Sequence, residues 1–594
     1  MCRIGKRDRP LDEKNTSSTQ LHKEKALSGG WQGDICQGVV MAYFIVMAVV
    51  YPFYMPGGYT RIGDVKYEFF RNISLVTLGI MICILVAAAL AQRDRKWIVR
   101  CYWRMSVTDW SAYGYLVAVM LSYLCSVYRE DALWGVDGWY MGAVTQIIFV
   151  LLYFFFSRYY YQDLRWVGIW LVTAWAVFVL GICNRYSLYP IAVEGQTEGF
   201  LSTLGNINWY CGYWSVTAPV GMALYWCTGS RRVRALAGFY SAAAVLTGVT
   251  QGSNSAYLVF IAVYVFLFIL SVRPAGQAAE SAKDVDADGK GGNAENADRT
   301  KTEERETGNS RMYRFLELCM LFAAACQLGR VMRFIPGLTY NYGIYAAEDG
   351  SGIAVLLLDG SGTFWAFILL VFLYGMLRIR DKRGPVHLNG HLKGYRALRI
   401  ILAVGMAVII CGAGFLLLLD SGVIYFREIP GTVEEDGSAA LSFNEDWGNG
   451  RGAIWNCTID ALKTMDILHK IVGIGPDCYA DYIYDIPELG SRMADRFTNL
   501  RLTNGHNEGL TMLVNTGMFG WLCYAGIFAA AFVRCLKRAE RTPFLYVCAA
   551  SLLGYTAHNL VSFQQVLNTP YIFIMLGIGE NICRHEAGRI TDEQ

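Results

Sequence analysis

The sequence predicts an all-α integral membrane protein that crosses the bilayer about fourteen times and carries one large folded loop outside the membrane. Two observations predict this fold class. Of the 594 residues, 54% are hydrophobic and only 17% are charged, whereas soluble domains carry about 25% charged residues. Apolar runs of roughly 20 residues recur along the chain, and each is long enough to cross about 30 Å of hydrocarbon as a helix. Strand-based crossing would require alternating segments of about ten residues, which the sequence does not show.

The apolar runs define the predicted membrane spans. We place them near residues 38–54, 72–91, 108–127, 139–157, 166–183, 207–227, 233–250, 254–272, 313–330, 361–377, 398–419, 508–533, 544–562 and 569–583. Residues 1–30 are polar and basic, and the first apolar run is long enough to be a full span. We therefore expect no cleavable signal peptide.

Lysine and arginine are concentrated in alternate loops between these spans. The basic groups include Lys6, Arg7 and Arg9; Arg93, Arg95 and Lys96; Arg231, Arg232 and Arg234; Arg378, Arg380 and Lys382; and Arg534, Lys537 and Arg538. Basic loops of membrane proteins face the cytoplasm. With the spans placed as above, every strongly basic loop falls on one side. This distribution predicts a multi-pass protein of the cytoplasmic membrane with both termini in the cytoplasm.

The spans and their loops divide the chain into segments. They are a basic cytoplasmic tail at 1–37, an N-terminal transmembrane bundle at 38–272, a disordered cytoplasmic linker at 273–311, middle transmembrane helices at 312–419, an extracytoplasmic loop domain at 420–507, C-terminal transmembrane helices at 508–583 and a cytoplasmic tail at 584–594. The linker is predicted to be disordered because it is rich in small and charged residues and has no aromatic residue. The loop domain is predicted to fold because it contains many aromatic and branched residues, with helical spacing over 453–466.

Two features of the loop domain leave alternatives open. Cys457 and Cys478 could form a disulfide, although no wider disulfide framework accompanies them. Asp477, Asp481 and Asp485 follow one another at four-residue steps and would share one face of a helix. A divalent cation could use such carboxylates, but a solvated acidic face is the simpler interpretation. We therefore predict no metal site and no cofactor.

Three short elements in and after this loop carry side chains suited to chemistry. WGNGRGAIW places Arg451 between glycines just before a predicted helix, where a guanidinium is well shaped to bind a phosphate. GIGPDCY is a Gly/Pro turn that lacks the ending of a phosphate-binding loop, so we expect it to shape the loop domain. NGHNEGLTMLVNTGMFGWL places His506, a candidate general base, at the mouth of a span, with Glu508 as a second candidate. A structural role remains the alternative for each.

Glycines in the last of these elements are expected to allow close helix packing within the span. They are Gly509, Gly517 and Gly520. Small residues of this kind let neighbouring helices approach each other closely in membranes.

The order of these elements resembles that of a known family. A Gly-Arg-x-x-x-Trp element, a Gly-x-Gly-Pro turn and a His-Asn box leading into a glycine-rich span are typical of O-antigen ligases and polysaccharide polymerases. In addition, LSTLGNINWYCGYWSVTAPVGMAL (201–224) is similar to the Gly-Asn-x-Asn segment of that family. The resemblance covers roughly residues 38–580, and its specific motifs lie in 201–224 and 447–522.

One departure from the family pattern concerns a phosphate-binding arginine. Family members commonly carry a Ser-Arg-Gly-Ala-like element after the seventh span, where this chain has Ser253-Asn254-Ser255-Ala256. Asn254 thus stands where the arginine is expected, so another cation would have to supply that contact. The candidates are Arg61, Lys66, Arg185, Arg330 and Arg333.

The resemblance implies a GT-C-like helix bundle and an inverting, metal-independent glycosyl transfer on the outer face of the membrane. The donor would be a glycan linked to a polyprenol such as undecaprenol through diphosphate, and the acceptor would be a hydroxyl on a glycan or lipid. Nucleic acid is not an expected partner. Arg451 would bind the diphosphate and His506 would act as the base. Contacts to substrate would come from Arg61, Lys66, Asn206, Asn208, Asn254, Asn507 and Glu508. Polymerase and ligase are not separated by these motifs, and a flippase of lipid-linked glycans is the alternative from another class.

Overall fold

The structure is a computed structural model that describes residues 31–91, 105–272, 294–340, 357–358, 360–382, 445, 447–498 and 500–593. The described part of the chain is mostly helical. Its longer helices are α1 (Trp31–Ile45, continued by a π-helical turn, Val46–Val50, and a short turn, Tyr51–Phe53), α2 (Ile62–Ala91), α3 (Val107–Cys125), α4 (Arg129–Trp134), α5 (Ala143–Tyr159), α6 (Leu164–Arg185), α7 (Ile207–Cys227), α8 (Arg231–Thr250), α9 (Ser255–Val272), α10 (Ala294–Met332) and α11 (Gly362–Lys382). They are followed by α12 (Trp447–Thr464), α13 (Ile467–Val472), α14 (Tyr479–Asp485), α15 (Pro487–Arg496), α16 (Glu508–Arg538), α17 (Phe544–Asn559) and α18 (Thr569–Glu593).

Within the described residues, eight helical stretches are long and apolar enough to cross a membrane. They are Gly33–Phe53, Ile62–Leu90, Leu164–Arg185, Arg231–Thr250, Ser255–Val272, Ser310–Met332, Gly362–Ile379 and Glu508–Arg538. The chain is therefore a multi-pass, helical membrane protein. The number of about fourteen crossings stays a prediction, and the span expected at 398–419 lies outside the described residues.

The C-terminal helices form the centre of the bundle by packing against helices from the first half of the chain. Helix α16 packs on α3, α17 on α7, and α18 on α5. Large aromatic side chains fill these contacts; for example, Phe149 of α5 stacks on Phe573 of α18 with ring centroids 5.4 Å apart. The ends of the chain are thus joined by buried apolar surface.

Helices α12 to α15 pack around a hydrophobic core of their own. Its buried members include Ile454, Cys457, Tyr479, Ile483 and Met493. Cys457 and Cys478 are both buried free thiols, so the possible disulfide between them is not formed. We call these four helices, residues 447–496, the cap.

Two short strands precede α7. Phe200–Leu201 pairs with Gly205–Asn206 as an antiparallel hairpin, a small exception to the all-α prediction. Asn206 follows directly into α7 and caps its N-terminus, because its Oδ1 accepts a hydrogen bond from the backbone N–H of Asn208 at 2.8 Å.

Helix α10 begins earlier than the sequence analysis predicts. The disordered linker was placed at 273–311, but residues 294–311 are the first turns of a helix that continues to Met332. Residues 273–293 lie outside the described residues. Residues 294–311 are helical because they are rich in Ala, Glu, Lys and Arg, which favour helix. In addition, extending an existing helix avoids the cost of nucleation.

Helix α16 is broken at Gly517, which has φ +67°. The glycine that was predicted to allow close packing within the span therefore also interrupts the helix. A Cβ at this position would lie 2.4 Å from the backbone oxygen of Ile471, so the break lets the cap approach the helix. The carbonyls of Val514 and Asn515, freed by the break, accept hydrogen bonds from the backbone N–H groups of Ile474 (2.9 Å) and Gly475 (3.0 Å). The Gly/Pro turn of the cap thus completes the broken helix.

Candidate functional site

Three residues singled out in the sequence meet at the segment that follows α17. Arg451 donates from Nε to the carbonyl oxygen of Val561 at 3.1 Å. Asn507 donates from Nδ2 to the carbonyl oxygen of Leu560 at 2.9 Å. The His506 ring packs edge-on against Phe563 with ring centroids 5.2 Å apart. The cap and the start of α16 therefore converge on residues 560–563, which we call the 560–563 segment.

A tight turn before α16 fixes the position of His506. Asn504 accepts a hydrogen bond on Oδ1 from the backbone N–H of His506 at 3.1 Å. Asn507 caps α16 by accepting on Oδ1 from the N–H of Leu510 at 3.0 Å. His506 itself has φ +44°, in the left-handed region that non-glycine residues rarely adopt. Such strain persists only where the surroundings impose it, and it is typical of functional sites.

The surroundings of His506 keep its imidazole neutral. The His506 side chain is partly buried, and its desolvation, followed by the charge of the nearby Arg451 guanidinium, lowers its pKa to about 3. A neutral imidazole is the form that can accept a proton. Arg451 and His506 are thus electrostatically coupled as well as close in space.

Arg451 extends from a bend near the start of α12. The preceding residue, Gly450, has φ +85°, and a Cβ there would lie 2.9 Å from the ring of Phe497. A larger residue would meet both backbone strain and this ring. The sequence analysis placed Arg451 just before a helix; in the structure it lies inside the first turns of α12.

Glu508 is buried at the first position of α16. Its carboxylate accepts hydrogen bonds from the Tyr524 hydroxyl and the Asn559 amide, and from the Tyr555 hydroxyl at 3.4 Å. All three partners are neutral donors. Among the ion pairs of the described residues, none involves Glu508.

A chain of hydrogen bonds connects the mid-chain motif to the same region. Asn208 accepts on Oδ1 from the Ser253 hydroxyl at 3.4 Å, and the hydroxyls of Ser253 and Ser255 are 2.7 Å apart. Ser255 Oγ in turn lies 3.1 Å from Nδ1 of His558, at the end of α17. The motifs at 201–224 and 447–522 are thus brought to the same end of the bundle.

Asn254, where the resemblance leads us to expect an arginine, is exposed beside this chain of hydrogen bonds. Of the candidate replacements, Arg185 binds the same turn. It is 1% exposed and donates to the carbonyl oxygen of Gln251, and to that of Glu198 at 3.3 Å. Arg333 packs over the Tyr340 ring at 5.6 Å, and the Tyr340 hydroxyl donates to the Thr250 carbonyl oxygen at 3.0 Å.

Arg61 and Lys66 have other partners at the start of α2. Arg61 is exposed and pairs with Asp64 at 2.7 Å. Lys66 is fully buried and donates from Nζ to the carbonyl oxygens of Tyr51 (2.7 Å) and Pro52 (2.9 Å). Lys66 therefore caps the end of the first membrane helix.

The sequence analysis missed His558, Asn559 and Ser255. A signal was present, because HNLVSFQQ (558–565) begins with the same His-Asn pair as the box at 506–507 and follows an apolar run. The sequence does not show that α17 packs on α9, because Ser255 and His558 are about half the chain apart.

The aspartates of the cap are used inside the protein. Asp477 accepts on Oδ2 from the backbone N–H groups of Val136 and Met141, both at 2.9 Å, and burial raises its pKa to about 7. Asp481 is 8% exposed and pairs with Arg501 at 2.5 Å. The interpretation as a solvated acidic face is therefore wrong for these two residues. No cluster of metal-ligand side chains occurs among the residues that the structure describes.

Comparison with known families gives a match over part of the chain. Residues 350–525 match a family model described as O-antigen ligase. The matched segment includes Arg451, His506, Asn507 and Glu508, and it ends inside α16. No curated protein matches the chain.

Proposed function

The chain is O-antigen ligase-like, on the match of residues 350–525, and from this premise we propose that it transfers a glycan from a polyprenyl-diphosphate-linked donor to an acceptor hydroxyl. The transfer takes place on the outer face of the cytoplasmic membrane, with both termini in the cytoplasm. The observation that supports this most directly is the meeting of Arg451 and His506 at the 560–563 segment. The two groups supply the charge and the base that the reaction needs.

Arg451 stabilises the departing diphosphate. As the bond between the sugar and the diphosphate breaks, negative charge grows on the leaving oxygen, and a fixed guanidinium stabilises that charge without reorganisation. A guanidinium can also bind two phosphate oxygens at once. The Nε contact to Val561 orients the side chain. No step of this mechanism requires a metal.

His506 takes the proton of the acceptor hydroxyl. In the free protein its imidazole is neutral but a weak base, because of burial and the Arg451 charge. A bound diphosphate would offset the Arg451 charge and so raise the pKa of His506 when the donor is in place. The base thus becomes effective only in the loaded site. Attack of the acceptor from the side opposite the diphosphate inverts the sugar carbon.

The mid-chain motif forms the second side of the donor site. Asn208 and Asn254 lie beside the Ser253–Ser255–His558 hydrogen bonds, and Asn206 fixes the start of α7. Arg185 holds the 251–255 turn through backbone carbonyls rather than replacing the family arginine at a phosphate. Arg61, Asn507 and Glu508 remain proposed contacts to the saccharide or its lipid carrier, whereas the buried Lys66 holds the end of the first membrane helix in place.

Transfer is tested with purified protein in liposomes that contain a polyprenyl-diphosphate-linked repeat unit. We expect wild type to release polyprenyl diphosphate and to form glycosidic bonds to an added glycan or lipid acceptor, as a ladder for a polymerase or a single product for a ligase. Arg451→Lys and His506→Gln are each expected to lower the rate by about 10²–10³. Donor that crosses the bilayer intact, with no bond formed for any acceptor supplied, would overturn the proposal and indicate a flippase.

Matched controls lie in the cap itself. Arg492→Lys alters an arginine that pairs with Glu445 and Asp460 on the cap surface. His469→Gln alters a histidine that pairs with Asp466. Both control variants should keep the wild-type transfer rate. Equal losses in controls and site variants would show that any change in the cap disables the protein, which contradicts the assigned roles.

A further inference from the structure

A pocket lies next to the proposed catalytic groups, and neither Arg451 nor His506 lines it. It is bounded by α3, α5, the broken part of α16, the Gly/Pro turn of the cap and residues 563–564. Aromatic side chains form part of its wall, namely Tyr115, Trp139 and Phe563, while amides line other parts.

The amides of this pocket are held in a fixed arrangement. Gln146 accepts on Oε1 from the Tyr115 hydroxyl at 2.9 Å. It donates from Nε2 to the carbonyl oxygen of Met141 at 3.1 Å and to Oε1 of Gln564 at 2.7 Å. Because Gln146 is bound at both ends, the orientation of the Gln564 amide is also set, with its Nε2 on the remaining side.

Two buried polar atoms of the lining lack a hydrogen-bond partner within the described residues. They are Oδ1 of Asn515 and Nε2 of Gln564. Asn515 is 6% exposed and Gln564 is 4% exposed, so neither side chain is freely hydrated. An unsatisfied buried polar atom costs about 1–3 kcal/mol. One acceptor and one donor are therefore left for a ligand that offers both, as a hydroxyl group does.

The charges of the pocket exclude a phosphate. Asp477 and Glu508 are its ionisable acids, and the described residues that line it include no lysine, arginine or histidine. A diphosphate would meet two acidic groups and no cation, which is unfavourable at such close range. A neutral, hydroxyl-rich ring with apolar C–H faces fits the aromatic wall and the amides instead.

We propose that this pocket binds one uncharged sugar ring, with Trp139 and Phe563 against its C–H faces and Asn515 and Gln564 on its hydroxyls. The proposal rests on the proposed function, because it makes the pocket the saccharide subsite of the transfer reaction. Phe563 connects the two sites. Its ring packs against His506, and it also lines the pocket, where its ring centroid lies 4.9 Å from that of Trp139. A sugar in the pocket would lie within one residue's width of the base.

Direct binding tests the pocket without requiring turnover. The probes are methyl glycosides of glucose, galactose, mannose, rhamnose and N-acetylglucosamine, measured by saturation-transfer NMR on the full chain in detergent micelles. We expect saturation transfer to at least one glycoside in wild type, and loss of about five- to tenfold in affinity in Asn515→Leu, which removes one hydroxyl contact. Trp139→Leu should weaken binding as well.

Asn515→Leu separates binding from folding. Because Oδ1 of Asn515 has no partner in the described residues, its removal should leave the thermal midpoint unchanged or raised. Asn72→Leu and Trp365→Leu, on exposed faces of α2 and α11, are the matched controls and should bind as wild type does. If no glycoside gives a signal, or if the signal is the same in Asn515→Leu and Trp139→Leu as in wild type, the inference is overturned.

The transfer assay then assigns the sugar to donor or acceptor. A rise in KM of Asn515→Leu for the acceptor alone places the acceptor sugar in the pocket, and a rise for the donor alone places the donor sugar there. Unchanged KM for both would overturn the inference while leaving the proposed function intact. Glycoside binding in a protein that transfers nothing would instead overturn the proposed function alone.

Discussion

Arg451 and His506 illustrate how one residue sets the chemistry of another. Desolvation and, after it, the Arg451 guanidinium disfavour a positive charge on the imidazole, so the histidine stays neutral in the free protein. A bound diphosphate would remove part of this effect. The same two residues can thus hold the base inactive until the donor arrives, which limits the loss of donor to water.

This coupling predicts a difference between two pH profiles of transfer. The profile of kcat/KM reports the free protein, and that of kcat reports the complex with substrate. Since the pKa of His506 is about 3 when the site is empty, kcat/KM should show no acid limb from His506 above about pH 4. The acid limb of kcat should lie at higher pH, because the bound diphosphate raises the pKa. Coincident limbs in the two profiles would contradict the proposed coupling.

Asp477 predicts a pH dependence of stability. Burial raises its pKa from 3.8 to about 7 in the folded protein. The protonated Asp477 side chain therefore contributes its full stabilisation below about pH 4. Between about pH 4 and pH 7 this contribution decreases, because the unfolded chain has lost the proton while the folded chain retains it. Asp477→Asn keeps an acceptor for the two backbone N–H groups and tolerates the φ of +63°.

The variant should therefore be more stable than wild type at pH 7 and gain less at pH 4. The difference in the free energy of unfolding between the variant and wild type is at most about 4 kcal/mol, at about 1.4 kcal/mol per pKa unit. Thermal midpoints of both proteins measured across this pH range provide the test. A difference that does not change with pH would show that folding does not raise the pKa of the Asp477 carboxyl.

At the scale of elements, the break in α16 organises the site. It frees two carbonyls that the Gly/Pro turn of the cap then binds, and it places the first turns of α16 against the pocket. The glycine-rich composition of this span could be recognised from the sequence, but the break could not. At the break, Gly517 lies against the backbone of Ile471 from the cap, a contact that no local pattern shows.

Gly517→Ala tests the importance of this break. Alanine would adopt a left-handed backbone at a cost of about 1–2 kcal/mol. Its Cβ would also lie 2.4 Å from the backbone oxygen of Ile471. We expect a destabilisation of more than about 2 kcal/mol, and loss of transfer as the cap shifts. Gly79→Ala in α2, where no atom lies within 4 Å of the added Cβ, is the control and should be neutral or slightly stabilising. Wild-type stability in Gly517→Ala would contradict this role.

The whole molecule is tied together at both ends of the bundle. At the end opposite the site, buried Asp109 pairs with Arg158 at 2.8 Å and with Arg584. Arg584 also pairs with Glu580 at 3.2 Å, and Glu580 pairs with Arg534 at 2.9 Å. This network joins α3, α5, α16 and α18, so it holds the helices whose other ends form the pocket and the site.

Removing the central acid should destabilise the whole bundle. In Asp109→Asn two arginines lose their shared carboxylate, and breaking a buried ion pair in this way costs about 3–5 kcal/mol. The thermal midpoint in micelles should fall, and added salt should change it little, because the acid is fully buried. Arg165→Gln, which removes an exposed pair with Asp163, is the control and should change stability by less than about 1 kcal/mol. Equal effects of the two variants would contradict the role of the network.

At the scale of the whole molecule, the sequence predicts the fold class and the order of the motifs, but not which helices pack together. Apolar runs and the order of the glycine, arginine and histidine elements predicted a helical membrane protein with an O-antigen ligase-like segment, because such patterns depend on local spacing. The contacts between Arg451 and the 560–563 segment, and between Ser255 and His558, depend on which helices pack together. That pairing is set by long-range packing, so the sequence did not show that His558 belongs to the site.

The most direct measurement of the central claim is photolabelling of the reconstituted protein with a polyprenyl-diphosphate-linked glycan that carries a diazirine on its first isoprene unit. The account predicts that the labelled peptides come from 251–256, 447–455, 504–508 and 558–563, and that Arg451→Ala reduces the labelling. Labelling concentrated instead around Asp109 and Arg584, or labelling unchanged in Arg451→Ala, would contradict the assignment of the donor site.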